Sequence, residues 1–408
     1  MSKKILFLSC KTPDDYNDTG NGCRREFLSN GVDFLDYNEV YPAYGYSGSQ
    51  VFIKDYISKN GIEILIFWGE GPTFHFPLDF FSGLRKRIFT VMLSGETAYF
   101  FDVRDKYYAA AMDLFVVLDS VEAVHVFREF GGDALFFAGP WDRKKYFKLN
   151  HIKKNIDVSF VGSVAGKKDR VAYIDYLGRN GVDVQIFGDG TPGGRVTHDR
   201  MVEIFNTTRI NLNFAGASAP SHLISPDMTF CKKQIKGRLA EVALCGSFVL
   251  TENTPGIGQI LSPDEEMVVF SDQEDLLKKV KFYLLNEHAR ETIAERGYRR
   301  AIKDYDLRLA IPRLLAEIEV RRLSGKRVFA AICPDAAFER NFASYRMLYI
   351  IKFFKQFRLA FALEELLLIC RIKKLNFSHL YTFAVEEVVD KFPKLKKIIK
   401  NLLFIRPR

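Results

Sequence analysis

The stretch KGRLAEVALCGSFVLTE, Lys236 to Glu252, decides the fold. Leu239, Val242 and Ala243 fall at helical spacing, Gly246 supplies a stop, and an apolar strand follows. A short helix that runs directly into a buried-looking strand is one step of a parallel α/β sheet. Glu241 is the odd residue in that helix, and two cations, Lys236 and Arg238, stand at its start. In a parallel sheet the start of such a helix faces the carboxyl ends of the strands. Its free N–H groups favour an anion there, and the two cations add formal charge. One turn deeper, Glu241 can accept hydrogen bonds from two vicinal hydroxyls, as an acidic residue does for a ribose in dinucleotide folds. Diphosphate at the mouth and ribose behind it describe a nucleoside diphosphate. The plainer alternative is a surface helix with a solvated Glu. It fits less well with the apolar neighbours Leu239, Val242, Ala243 and Cys245.

The same alternation extends in both directions. Upstream, KILFLSC, VDFLDY, IEILIFWG, RIFTVMLSG, DLFVVLD and ALFFAG are apolar runs of strand length, separated by helical stretches closed by glycine. The polar, basic segment 138–155 resembles a linker, and after it the pattern restarts with DVSFVGS, VDVQIFGDG, RINLNFAG, SFVLTE and EMVVFSD. A chain of 408 residues is too long for one ordinary core. The expected organisation is α/β: two Rossmann-like, doubly wound domains over 1–150 and 151–320, with a helical extension over 321–408. A ligand is expected in the cleft between the domains.

Residues 321–408 hold 19 Lys and Arg against 7 Asp and Glu, whereas residues 1–320 hold 40 against 43. The body is near neutral and the tail is basic, which argues against a basic nucleic-acid cleft and for a tail that meets an anionic surface. In FPKLKKIIKNLLFIRPR, Leu395, Ile398, Ile399, Leu402 and Leu403 share one helical face, and Lys394, Lys396, Lys397 and Lys400 fill the others. Such a helix either lies on a membrane surface or packs on the body with a solvated lysine face. No uncharged apolar run approaches the roughly 20 residues of a bilayer span. The apolar start of the chain is too short for a signal peptide and reads as a first strand. Six scattered cysteines without CxxC pairs read as the reduced thiols of a cytosolic protein, and seven histidines without HxxxH or HxH spacing give no zinc site.

QIKGRLAEVALCGSFVLTENTPGI, together with the helical sequence down to DYD at 304–306, resembles the donor half of the group 1 glycosyltransferases. DVSFVGS with KKDR beyond it, RINLNFAG, and MDLFVVLDSVEAVHVFREFGGDALFFAGPWD resemble the subgroup around the spore-maturation protein CgeB. The likeness covers residues 110–310 well, 1–110 loosely and the tail not at all. It implies a GT-B fold, with a nucleotide-sugar in the second domain and the acceptor mostly in the first. It also implies that Glu241 holds the donor ribose and that Gly188 lets the backbone approach the nucleotide. Gly162, Ser163, Lys167 and Arg170 would line the diphosphate. One position departs from the family: many retaining members carry a second Glu eight residues before the ribose Glu, and here Lys233 stands there.

Glu96 follows a strand and a glycine in RIFTVMLSGE and faces the expected cleft. A Gly-Glu after a strand is similar to that of the α1,3-fucosyltransferases, which implies a general base for an inverting transfer. A strand-end or capping carboxylate is the other reading, and Glu70 in FWGEGP shares the ambiguity. Gly20 and Gly22, in the loop DYNDTGNGCRREF, would bring backbone N–H groups close to the reacting sugar, or simply form a surface turn. His75 among aromatics reads as structural, and DYD as helix capping. Without a strand-end DxD, a metal is not expected, and Lys, Arg and the helix start would meet the leaving-group charge. The sequence thus points to a metal-independent, cofactor-free transfer of a sugar. The donor would be a nucleotide-sugar and the acceptor a hydroxyl of a glycan, lipid-linked saccharide or protein. A binding or assembly protein of the same fold, or a nucleotide-sugar epimerase, remains the alternative.

Overall fold

The computed structural model describes residues 4–11, 19–70, 73–216, 233–325 and 327–372. Its first half runs β1 (Ile5–Ser9), α1 (Thr19–Ser29), β2 (Asp33–Asp36), α2 (Tyr37–Asn60), β3 (Ile64–Trp68), α3 (Leu78–Arg85), β4 (Phe89–Ser94), α4 (Thr97–Phe100), α5 (Lys106–Ala110), β5 (Leu114–Val117), α6 (Val121–Glu129) and β6 (Ala134–Phe136). The second runs β7 (Ile156–Val161), α7 (Lys168–Arg179), β8 (Val184–Phe187), α8 (His198–Thr207), β9 (Thr208–Asn213), α9 (Arg238–Leu244), β10 (Val249–Glu252), β11 (Val268–Phe270), α10 (Gln273–Leu285) and α11 (Glu287–Asp304). Three helices follow: α12 (Leu307–Leu323), α13 (Ala336–Lys355) and α14 (Leu359–Cys370).

All strand pairs are parallel, in the orders β2-β1-β3-β4-β5-β6 and β11-β10-β9-β7-β8. Both sheets are covered on both faces, which is why their strands read as continuous apolar runs: β3, β4 and β5 are buried throughout. Strand order reverses between β1 and β3, and again between β7 and β9. Each reversal leaves a crevice at the carboxyl ends of its strands, where ligands bind in such sheets.

The chain crosses between the domains twice, and the crossings are stitched together. The Trp141 N–H donates to the Tyr305 carbonyl at 2.8 Å, and the Leu307 N–H donates to the Trp141 carbonyl at 3.0 Å. The DYD segment caps helices as expected: Asp306 accepts the Arg308 N–H at the start of α12. The expected boundary at 320 falls inside α12. That helix returns to the first domain and buries Leu307, Ile311, Leu314 and Ile318 against Phe7, Phe27 and Ile66.

The helices at 336–370 also belong to the first domain. Phe338, Tyr345, Tyr349 and Phe353 of α13 complete the core that contains Phe74, Phe76 and Tyr108. Arg346 and Glu365 form a fully buried ion pair at 3.3 Å. Arg346 also donates to the Tyr41 hydroxyl and the Phe74 carbonyl, and Tyr41 donates to Glu365. Helix α2 breaks at Gly45, whose φ of 71° is a left-handed conformation that favours glycine. Phe361 of α14 fills the break, and Glu364 accepts the N–H groups of Tyr46 and Ser47 at 3.1 Å, capping the resumed helix. His75 is structural, as expected: it is buried and hydrogen bonds the Tyr349 hydroxyl at 2.7 Å. The lysine-rich segment 391–408 lies outside the described residues. No described helix is long and apolar enough to cross a membrane.

Candidate active site

A cavity of about 260 Å³ lies between the domains, at the carboxyl ends of both sheets. The first domain contributes Trp68, Gly95, Leu118 and Asp119, and the crossing contributes Trp141. The second domain contributes Gln234, Ile235, Lys236, Gly237 and Glu241. The Ile235 N–H donates to the Asp119 carbonyl at 3.1 Å, so the two walls are joined by a backbone bond.

The second-domain wall is cationic. Arg170, buried at the start of α7, donates to the carbonyls of Ser163 at 2.8 Å and Gly216 at 3.3 Å. It thereby ties the loop after β7 to the loop after β9, across the point where strand order reverses. Burial pushes the Lys236 ammonium down to about 7, and the neighbouring charges of Arg170 and Lys167 push the same way. Lys167 is lowered by burial and by Arg170, and Arg170 by burial. Three cations thus crowd one partly dehydrated wall and are offset only in part by Asp119 and Glu96. An anion placed among them relieves that repulsion.

The first-domain wall is acidic. Glu96 follows β4, precedes α4 and is exposed, next to Gly95 of the cavity lining and within electrostatic reach of Lys236. Loss of solvation around the carboxyl nevertheless raises its pKa, as does Asp105, while Arg104 and Lys236 lower it. Behind it, Asp119 is buried at the end of β5. It accepts the Thr97 N–H at 3.0 Å and the Thr97 hydroxyl at 2.5 Å. Burial lifts this carboxyl to about 7. Asp119 fixes the turn that carries Glu96.

Several expected residues occupy other positions. Lys236 lines the cavity, but Arg238 does not share its mouth. Arg238 folds back, with its guanidinium 5.1 Å from the Phe205 ring centroid and 2.8 Å from the Glu241 carboxylate. Helix α9 has seven residues, so its dipole is small and the formal charges dominate the wall. Glu241 does reach the cavity, held by Arg238 and by a hydrogen bond to Tyr146. Gly162, Ser163 and Gly188 shape loops. A Cβ on Gly188 would lie 2.4 Å from the Gly162 carbonyl oxygen, and the Ser163 hydroxyl accepts the Ala165 N–H and donates to the Asp189 carbonyl of the loop after β8, each at 3.3 Å. Gly20 and Gly22 lie inside the first turn of α1 rather than before it. A Cβ on Gly22 would meet Leu307 at 2.9 Å, so this glycine lets α1 approach the second crossing.

Lys233 pairs with Glu252 at the end of β10 at 3.0 Å. Sequence reasoning did not single out Asp119, Trp141, Gln234 or Glu252. Asp119 carried the same strand-end signal as Glu70 and Glu96. Trp141 carried none, because its place depends on where the crossings meet.

Residues 170–316 match the family model described as Glycosyl transferase-like. Among solved structures, sucrose-phosphate synthase from Thermosynechococcus elongatus is 11% identical, with 80% of this chain and 100% of that chain covered at a TM-score of 0.54. HepE from Anabaena, solved in complex with UDP-glucose, is 13% identical, with 80% and 100% covered at 0.53. A glycosyltransferase from Rickettsia africae is 10% identical, with 78% and 98% covered at 0.53. No curated protein sequence matches the chain. At these identities the likeness is one of fold, and the fold is GT-B.

Proposed function

We propose that this chain is a glycosyltransferase of the CgeB-like subgroup that moves a sugar from a nucleoside diphosphate to an acceptor hydroxyl with inversion. Lys167, Arg170 and Lys236 meet the charge of the diphosphate, so the reaction needs neither a metal nor a cofactor. Glu241 receives the ribose hydroxyls. The acceptor is a glycan, a lipid-linked saccharide or a protein, and its oxygen attacks the anomeric carbon from the first-domain side. Glu96 takes the hydroxyl proton as the nucleoside diphosphate leaves. The observation that carries this reading is a cavity at both strand reversals with the crowded cation Lys236 on one wall, and on the other Asp119 and Gly95, the residue before the exposed Glu96. HepE, solved with UDP-glucose, makes UDP-sugars the first donors to try. The enzyme is proposed to work on the cytoplasmic side of a membrane, with its basic C-terminal region at the lipid surface.

The test begins with a thermal-shift screen against UDP-, GDP-, ADP-, CMP- and dTDP-sugars, since a ligand of the native state raises the melting temperature. NMR of the full-length protein with the stabilising donor then follows the anomeric proton. Slow donor hydrolysis or transfer with an inverted product is expected. Interconversion of free nucleotide-sugars would make the chain an epimerase. Binding without turnover under any acceptor would make it a binding protein.

A further inference from the structure

The outer face of α14 has no partner among the described residues. Leu359, Leu363, Leu366 and Leu367 fall at helical spacing on it and are each 45–57% exposed. Phe354 at the end of α13 and Phe357 in the turn, the latter 90% exposed, extend the stripe. Isolated apolar side chains on a surface need no explanation, but a contiguous band of six large ones does.

Charge decides what the band suits. Lys355 before the turn and Arg371 at the end of α14 are exposed, while the Arg358 guanidinium is turned to the Pro42 and Ala43 carbonyls of α2 and the Lys352 ammonium lies over the Tyr349 ring. The two carboxylates of α14 are turned the other way: Glu364 caps the resumed half of α2, and Glu365 is buried against Arg346. The helix thus presents leucines with a cation near each end and keeps its anions inside. Position adds a second constraint. α13 packs on residues 74–76, which follow β3 at the carboxyl edge of the first sheet, the same edge that holds Glu96.

We propose that the α13–α14 face docks on an anionic lipid bilayer, with the leucines and phenylalanines entering the headgroup region and the flanking cations against lipid phosphates. This orientation sets the acceptor side of the cleft beside the membrane, which suits a lipid-linked acceptor. That consequence rests on the transferase reading, but the docking itself does not.

The test uses the full-length chain and sedimentation with vesicles of phosphatidylglycerol and phosphatidylcholine, against phosphatidylcholine alone. Binding to the anionic vesicles at low salt is expected, falling as salt screens those cations. The double variant Leu363→Glu, Leu367→Glu is expected to lower binding about tenfold or more while leaving the melting temperature unchanged. Wild-type protein that ignores anionic vesicles overturns the proposal, as does a variant that binds them equally well. If the wild type is a dimer without lipid and the variant a monomer, the occupant is a second copy and the lipid proposal fails. A melting temperature lowered by the variant, without vesicle binding by the wild type, assigns the face to the chain's own C-terminal segment. Donor turnover is measured in parallel, so lost docking and absent transfer remain separate results.

Discussion

Lys236 shares one wall with Arg170 and Lys167, and burial holds its ammonium at about 7. A diphosphate among these groups favours the charged lysine and raises that pKa. Asp119, itself at about 7, is pushed up by the same anion, so both effects have one sign. Binding of a nucleotide-sugar, whose pyrophosphate diester carries no proton in this range, is therefore expected to take up about one proton at pH 8 and almost none at pH 5. Calorimetry in buffers of different ionisation enthalpy measures this directly, and Lys236→Met should remove most of the uptake. Glu241→Ala is expected to weaken nucleotide binding by about 1–3 kcal/mol in a folded protein. Glu96→Gln should lower turnover by about 10²-fold and leave donor affinity nearly intact. A retained product configuration would remove Glu96 from the role of base. The positions of Lys236 and Glu241 on the cavity were legible because an ionisable residue at the start of a helix that runs into a buried strand has few places to point. Arg238 was misplaced because a local partner three residues on, Glu241, and the Phe205 ring compete for it, and spacing alone does not rank those contacts.

Helix α14 is held by features of α2 more than 300 residues away. A Cβ on Gly45 would sit 2.8 Å from the Phe361 ring, and its left-handed backbone disfavours a branched side chain. Gly45→Val is expected to cost about 2–3 kcal/mol, read as a shifted denaturation midpoint. Arg346→Met leaves Glu365 buried without its counter-charge and should cost about 3–5 kcal/mol. Adding Glu365→Met should recover much of that loss, because the stranded charge is then gone. The strands of both sheets were legible because burial on two faces leaves an unbroken apolar run. The placement of α13 and α14 was not. Arg346 and Glu365 look in sequence like the solvated charges of an amphipathic helix, and only the distant Tyr41 and Phe74 show them to be interior.

The two crossings turn a pair of sheets into one molecule, and Trp141 stands where they meet, against Tyr305 and beside the cavity. Trp141→Ala is expected to lower stability by about 3–5 kcal/mol and to weaken donor binding, whereas a cavity variant away from the crossings, such as Leu177→Ala, should affect stability alone. Chain order has a further consequence. The second domain spans β7 to α11 without interruption, while the first is begun at β1 and closed only by α12, α13 and α14. During synthesis at about 5–20 residues per second, roughly 200 residues separate β6 from α13. For a time on the order of 10–40 s the aromatic floor around Tyr41, Phe74 and Phe76 has no lid. The domain made first is thus the last to mature, and a nascent chain of this protein calls for a chaperone over that interval. In timed cell-free synthesis, the protease-resistant fragment of the second domain should appear before that of the first.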